Sequence, residues 1–257
     1  MSKLQVLSLA LASLFVSIQA RAQFAESVIS YDPGTGFSPG FTNAEAVLGE
    51  PSRITPGNFG GPVDPFDPPY LTSQLVSIGA GGSLTIKFTK PVLDHPRNRF
   101  GIDFIIFGNA GFIITNAFDP NTFDWIGTPA TDGSLLGNNP GASRVSVSSD
   151  GITFYELNPA VAAVVDGLLP TDGSGDFHTP ADPSLRQTDF AGLTLEGIRA
   201  LYYGGAGGAG YDLAWAQDSD GRPASIHSIS YIRVEVLEGK SEVDGIAAVF
   251  VPPGLRR

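Results

Sequence analysis

The chain contains no cysteine. This absence excludes disulfide bonds, thiolate nucleophiles and cysteine-ligated zinc sites. The hydrophobic core must therefore hold the fold by itself, and a chain of 257 residues is long enough to bury such a core.

Recognisable catalytic motifs are missing as well. The sequence has no G-x-S-x-G nucleophile elbow and no H-E-x-x-H zinc motif. Its three histidines, His95, His178 and His227, stand singly in loop contexts, where a histidine without an orienting partner is usually a solvated side chain. The sequence therefore favours a non-enzymatic protein. A secreted hydrolase with two carboxylates from distant strands stays open, because such acids have no fixed sequence spacing.

Basic residues are few, with 15 Lys and Arg against 26 Asp and Glu and a formal net charge of −11. Nucleic acids and anionic lipids bind basic patches, so neither is an expected partner. After residue 22, no apolar run is long enough to span a bilayer, and the chain shows no C-terminal hydrophobic sorting tail. No transmembrane anchor is expected beyond the first segment.

That first segment has the pattern of a secretory signal peptide. Met1 to Ala22 contains Lys3, an apolar run over residues 4–18 and the small-x-small triplet Ala20-Arg21-Ala22. An uncleaved anchor is the alternative, but the run is short and contains serines. The sequence thus predicts a signal peptide over residues 1–22, a single domain over residues 23–257, and export to the periplasm, the cell surface or the medium.

Short strand patterns separated by Gly, Pro, Asn and Asp recur along this domain. Apolar and polar residues alternate cleanly in "SLTIKF" and "YIRVEVL", as expected for an antiparallel sheet with one buried face. The predicted strands cover residues 26–31, 73–79, 83–89, 100–108, 143–149, 152–157, 198–204, 229–239 and 243–250. One short helix is predicted over residues 158–169. These patterns predict an all-β fold, an antiparallel jelly-roll or β-sandwich with long loops and at most short helices.

Three glycine-containing segments invite comparison with ligand-site motifs, but none of them fits in its context. Gly205–Gly210 fits G-x-G-x-x-G, but an extended segment rather than a helix follows it, so a turn between two strands is predicted. Neither "DSDG" nor "DGSGDF" fits the ligand spacing of an EF-hand. A looser structural Ca²⁺ site stays open, with Asp212 and Asp218 as the predicted ligands. The alternative is that these acids are solvated turn residues.

Two loops, residues 109–142 and 168–188, are too long to be simple connectors. In the first, Phe118, Phe123 and Trp125 predict a folded loop whose aromatic rings form a stacking platform, with Asp124 beside it. This platform is the predicted ligand-binding site. Asp103 is a predicted structural acid, because it shares a strand face with apolar residues and must be hydrogen-bonded if that face is buried.

The hairpin pattern "RVSVSSDGITFYEL" resembles the central hairpin of discoidin-like, galactose-binding-like β-sandwich modules, and "ISYIRVEVLEG" resembles a late strand of those modules. The segments "FGIDFIIFGNAGF", "GAGYDLAWAQDSDG" and "EVDGIAAV" are similar to a group of secreted bacterial cell-surface proteins of uncharacterised function. The resemblance covers roughly residues 28–249. It implies a galactose-binding-like fold, a class that binds sugars, lipids and proteins alike.

These observations together predict an exported, non-enzymatic binding module that recognises glycan or cell-surface matrix, such as extracellular polysaccharide, through its end loops. A structural or adhesive surface protein without a small ligand is one alternative, and the carboxylate-dependent hydrolase is the other.

The signal-peptide prediction is checked by the N-terminus of the exported protein. Cleavage after Ala22 should give material that begins at Gln23, which can cyclise to pyroglutamate. Peptide mass mapping of exported protein measures this, because it detects both the free and the cyclised N-terminus. Full-length protein retained in the cytoplasm would contradict the prediction.

Overall fold

The computed structural model describes residues 23–136 and 141–249, so the predicted signal peptide lies outside the described residues. The described chain folds as an antiparallel β-sandwich of two sheets, as the sequence predicts. None of its helices is long and apolar enough to cross a membrane.

The larger sheet has six strands. In spatial order they are β1 (Ser27–Asp32), β5 (Ser83–Leu93), β15 (Ser228–Val236), β10 (Ser143–Ser148), β11 (Tyr155–Leu157) and β14 (Ala216–Gln217). The alternation in β5 places Leu84, Ile86 and Phe88 in the core. The hairpin of β10 and β11 turns at Asp150, whose carboxylate accepts hydrogen bonds from the backbone N–H groups of Ile152 and Thr153.

The smaller sheet has four strands, in the order β13 (Ala209–Tyr211), β6 (Phe104–Gly108), β16 (Lys240–Ala248) and β4 (Val76–Gly79). Three two-stranded ribbons complete the strands: β2 (Ile54–Thr55) with β3 (Gly61–Pro62), β7 (Phe118–Asp119) with β8 (Asp124–Trp125), and β9 (Ala130–Thr131) with β12 (Leu193–Thr194). The helices within residues 23–136 and 141–249 are α1 (Leu195–Tyr202) and four single 3₁₀ turns, Ala44–Val47, Arg99–Gly101, Gln187–Phe190 and Leu213–Trp215.

The core continues beyond the space between the sheets. Phe104 and Ile106 of β6 point between the sheets, whereas Ile105 and Phe107 point to the opposite side. There they pack against Phe177 from the second long loop, whose ring meets that of Phe107 edge-on at 5.0 Å. The smaller sheet is therefore buried on both faces.

A third apolar cluster holds the remaining loops together. Phe112, Phe190 and Tyr202 are each at most 1% exposed and lie in this cluster with Ile198 of α1. The rings of Phe112 and Phe190 are 4.8 Å apart. This cluster connects the first long loop to α1.

The structure corrects two of the predicted elements. Residues 198–204 were predicted as a strand, but residues 198–202 form the larger part of α1. Thr194 caps this helix by accepting a hydrogen bond from the Gly197 N–H. Residues 158–169 were predicted as a helix, but they form successive turns. The backbone there is left-handed at Asp166 (φ 58°) and Leu169 (φ 72°), which a right-handed helix does not allow.

The glycine-rich segment also differs from its prediction. It was predicted as a turn between two strands, but it joins α1 to β13 and is buried over residues 205–209. Gly208 (φ +78°) lies so close to β6 that a Cβ atom would be 2.6 Å from Ile105 Cγ2 and 2.7 Å from Phe107 Cδ1. The segment is part of the cover on the outer face of the smaller sheet.

Replacing Gly208 by alanine should therefore destabilise the protein more than the same change at an open glycine. Gly36 has nearly the same φ (+77°), but a Cβ atom at this position would have nothing within 4 Å. Gly36→Ala should cost about 1 kcal/mol, from the left-handed backbone alone. Gly208→Ala should cost at least about 1 kcal/mol more, from the clash with β6. Urea unfolding of both variants measures the difference, and equal losses would contradict this packing.

Candidate functional site

The first long loop folds into an arm of antiparallel chain, residues 111–136, here called the aromatic arm. Its base is closed by hydrogen bonds from Ile113 N–H to Ser134 C=O (2.8 Å) and from Thr115 N–H to Ala130 C=O (2.9 Å). Further out, β7 and β8 pair with each other. The base is anchored in the third apolar cluster through Phe112, and through the pairing of β9 with β12. A folded first loop was predicted, and the described part of it is folded.

The tip of the arm brings the three predicted aromatic residues together. Phe118 and Trp125 are cross-strand partners, and their ring centroids are 5.3 Å apart in an edge-to-face arrangement. The Phe118 ring meets the Phe123 ring in the same way at 5.4 Å. Phe118 is 43% exposed and Phe123 is 84% exposed, while Trp125 is partly buried. The three rings form one continuous aromatic surface that solvent can reach.

Polar groups fix the shape of this tip. Asn116 donates from Nδ2 to the carbonyls of Ile126 (3.0 Å) and Thr128 (3.1 Å), and its Oδ1 accepts from the Ala130 N–H. At the turn, Asp119 accepts hydrogen bonds from both the backbone and the side chain of Asn121. These hydrogen bonds all lie within the arm and fix the course of the chain around its tip.

Phe123 has a left-handed backbone, with φ of 60°. A bulky residue rarely adopts this conformation, which costs roughly 1–2 kcal/mol relative to the right-handed region. Its N–H is held by the Asp119 carbonyl at 2.9 Å. Backbone strain of this kind is concentrated at binding sites.

The arm carries acidic charge only. No Lys, Arg or His occurs between residues 100 and 143. Asp119 and Asp124 are direct cross-strand partners, an arrangement in which like charges repel. Asp124 accepts a hydrogen bond from the Trp125 N–H at one oxygen. Its other oxygen has no donor among the described residues, so it can accept a hydrogen bond from a ligand.

Asp103, the predicted structural acid, is fully buried at the start of β6. Its carboxylate accepts three hydrogen bonds, from the backbone N–H groups of His95 (3.2 Å) and Leu213 (2.9 Å) and from Asn98 Nδ2 (2.7 Å). Burial raises the pKa of Asp103 to about 6. The three hydrogen bonds oppose this rise, and the negative charge of Asp212 adds to it.

Of the two predicted calcium ligands, Asp212 and Asp218, only Asp212 lies close to Asp103. β13 pairs with β6 through Tyr211 and Phe104, which places Asp212 beside Asp103 at the end of the strand pair. The carboxylates of Asp94, Asp103 and Asp212 each offer an oxygen within 4.8 Å of the others. Burial, together with the nearby charge of Asp94, raises the pKa of Asp212. Asp94 was not among the predicted ligands.

Asp218 lies outside this group of three carboxylates. Its carboxylate accepts hydrogen bonds from the N–H groups of Asp220 and Arg222, both at 2.9 Å, and so closes its own turn. This is the turn-residue role that was the alternative prediction for this acid.

A second set of buried acids lies along β16. Asp166 is hydrogen-bonded by the N–H groups of Ala110 (2.8 Å) and Glu242 (3.0 Å), and Asp244 is hydrogen-bonded by the Ser52 N–H and Oγ, both at 2.7 Å. Burial raises the pKa of both Asp166 and Asp244 to about 7. No pattern in the sequence indicated them, because their burial depends on how the loops cover the sheet.

A hollow of about 410 Å³, lined mainly by apolar side chains and by Arg186, lies beside the turns of residues 158–169. Val161, Val164 and Leu185 are among its lining residues, and no Asp or Glu lines it. The acids that converge in the described structure therefore lie elsewhere, and one of them, Asp103, is inaccessible to a substrate. The hydrolase alternative is still a prediction, because the carboxylates of Asp94 and Asp212 lie close together outside this hollow.

Comparison of the chain with protein-family models gives no match, and a search of curated proteins gives no significant relative. The resemblance to discoidin-like modules is therefore still a prediction.

The buried acids predict how stability depends on pH. Asp166 and Asp244 titrate near pH 7 when folded but near 3.8 when unfolded, so the folded state binds protons more tightly. Their contribution is fully present below about pH 4 and is lost as the pH rises through about 7. We expect the melting temperature to fall as the pH rises from about 5 to about 8. Thermal melts across this range measure it.

Asp244→Asn supplies the matched variant. An asparagine at this position can still accept from the Ser52 N–H and can donate to Ser52 Oγ. The variant should melt at a higher temperature than the unchanged protein above about pH 7, and its pH dependence should be flatter. Identical pH profiles for the two proteins would contradict a raised pKa at Asp244.

Proposed function

We propose that the protein is an exported, non-enzymatic binding module that recognises extracellular polysaccharide or cell-surface matrix through the tip of the aromatic arm. The observation that carries the proposal is the exposed aromatic surface that Phe118, Phe123 and Trp125 form at the tip of the arm. It acts in the periplasm, at the cell surface or outside the cell, as the predicted signal peptide implies.

The chemistry of the tip suits a sugar ring. The C–H face of a pyranose is apolar and stacks on aromatic rings, and its hydroxyl groups need hydrogen-bond acceptors at the edge of the stack. The rings of Phe123 and Trp125 offer the stacking surface, and the second oxygen of Asp124 offers an acceptor beside it. Binding sites typically combine an aromatic surface with a few fixed polar groups in this way.

The charge of the arm narrows the class of polysaccharide. Without any basic residue between positions 100 and 143, the arm has no partner for carboxylate, sulfate or phosphate groups. Asp119 and Asp124 repel such groups instead. We therefore propose a neutral or amino-sugar polysaccharide, in preference to a uronic acid polymer or an anionic membrane.

The stability of the fold does not explain why the Phe123 ring is exposed at the tip of the arm. Phe123 is 84% exposed, so it removes little apolar area from water within the fold. An exposed apolar cluster on a soluble protein usually marks an interaction surface. The adhesive alternative uses the same surface against a second copy of the chain, and it predicts self-association rather than sugar binding.

The proposal is tested with Phe123→Ala and Trp125→Ala. Each variant should bind its polysaccharide at least about tenfold more weakly, equivalent to about 1.4 kcal/mol, while Phe123→Ala should leave the melting temperature unchanged. Pull-down with insoluble cellulose and chitin, followed by affinity electrophoresis in soluble neutral and anionic polysaccharides, measures binding. Phe59→Ala is the matched control, because Phe59 is also a highly exposed phenylalanine (93%) but lies outside the arm.

Each result separates the candidates. Binding to neutral or amino-sugar polymers that both arm variants weaken and Phe59→Ala preserves supports the proposal. Preference for the anionic polymers would overturn the proposed ligand class. No binding to any polymer, combined with concentration-dependent dimerisation in ultracentrifugation that Phe123→Ala abolishes, would replace the proposal with the adhesive alternative.

A further inference from the structure

The carboxylates of Asp94, Asp103 and Asp212 form a compact group that joins the two sheets at one edge. Asp94 directly follows β5 of the larger sheet, and its N–H is bonded to the His227 carbonyl (3.0 Å). Asp103 and Asp212 flank the β6–β13 pair of the smaller sheet. One oxygen from each lies within 4.8 Å of the other two. Oxygens bound to one Ca²⁺ at 2.3–2.6 Å are separated by at most about 5 Å, so all three fit a single ion.

The group contains three acids without a compensating cation. None of the ion pairs in the described part of the chain involves Asp94, Asp103 or Asp212. Arg99, which lies between Asp94 and Asp103 in the sequence, packs over the rings of Phe100 and Tyr203 instead. Bringing a fully buried carboxylate next to two others is costly unless a positive charge enters the group.

Asn98 supplies an independent sign of a missing partner. It is 8% exposed, and its Nδ2 donates to Asp103 Oδ1 at 2.7 Å. Its side-chain oxygen is buried and has no hydrogen-bond donor among the described residues. The amide already contacts Asp103 through Nδ2, so this oxygen without a partner belongs to a side chain that reaches the acid group. Buried polar atoms without partners are rare in native proteins, and a bound ion can supply the missing partner.

The local backbone leaves room for this arrangement. Gly101 has φ +76°, and a Cβ at this position would be 2.6 Å from Asp212 Oδ2. Asp212 is also oriented by its other oxygen, which caps the turn at Leu213–Trp215 by accepting the Ala214 N–H at 2.7 Å. Glycine at 101 therefore lets the Asp212 carboxylate approach the other two.

We propose that Asp94, Asp103 and Asp212, with the side-chain oxygen of Asn98, bind one Ca²⁺ ion that clamps the two sheets together. All four donors are hard oxygen atoms, which favour Ca²⁺ or Mg²⁺ over zinc and copper. Ca²⁺ tolerates irregular geometry and completes its six to eight ligands with water, which the exposed side of Asp94 admits. This site differs in its ligands from the calcium site predicted from the sequence, because Asp94 takes the place of Asp218.

The test is titration of the chelator-treated mature protein with CaCl₂ in a calorimeter, combined with thermal melts in CaCl₂ and in EDTA. We expect one site per chain and a higher melting temperature in CaCl₂, because an ion that binds only the folded state stabilises it. Asp94→Asn is the decisive variant, since Asp94 is exposed and no described residue donates to its carboxylate. It should weaken Ca²⁺ binding at least about tenfold, because site affinity depends on ligand charge. In EDTA it should melt no lower than the unchanged protein, because it removes one of the three repelling charges.

Asp124→Asn is the matched control, because it removes the same charge from an exposed position outside the group. It should bind Ca²⁺ as tightly as the unchanged protein. Equal weakening by both substitutions would show a general charge effect and overturn the site. The absence of any heat or melting shift with CaCl₂, and then with MgCl₂, would overturn it as well. Polysaccharide binding plays no part in this test, so its outcome is independent of the proposed function.

Discussion

Strand β6 imposes the constraint on which the rest of the structure depends. All of its residues, "FIIFG", are buried, and they divide between the space inside the sandwich and its outer side. A strand that is apolar on both faces must be covered on both faces. The larger sheet covers one face, and the second long loop covers the other with Phe177. Arg53 then holds that loop, by donating to the carbonyls of Gly173 (2.6 Å) and Gly175 (3.1 Å). The second loop therefore has a structural role, because it covers the outer face of β6.

Alternation was enough to predict the sandwich, because residues such as Leu84 and Ile86 must share one buried face whatever the partner strand is. Eight of the nine predicted strand segments contain a strand. The failures concern elements whose conformation is fixed by tertiary contacts. Residues 198–204 are rich in β-branched and aromatic side chains, yet Ile198 and Tyr202 are four residues apart and both enter the third apolar cluster. That spacing, with Thr194 as a cap, was a helix signal in the sequence.

The two candidate sites were predictable to different degrees. Phe118, Phe123 and Trp125 lie within eight residues, so a short hairpin in the register that pairs Phe118 with Trp125 brings them together. The acid group depends on which strands are neighbours. Asp103 and Asp212 are more than a hundred residues apart in the sequence and meet because β6 pairs with β13. Asp94 directly follows β5, a strand of the other sheet. Nothing in the local sequence reports such pairings, whereas the short loop at Asp218 was free to satisfy its own carboxylate.

Three exposed aromatic residues share a left-handed backbone, and two of them are explained by the fold. Tyr203 ends α1, and Arg99 lies 4.7 Å from the ring centres of both Tyr203 and Phe100, so these rings are held by a cation. Phe123 has no such cation among the described residues, and its ring meets that of Phe118 edge-on. Glycine would adopt the same backbone without strain, as it does at many turns of this chain. Phe123 therefore carries backbone strain that a glycine would not, and its ring belongs to the surface that we propose for ligand binding.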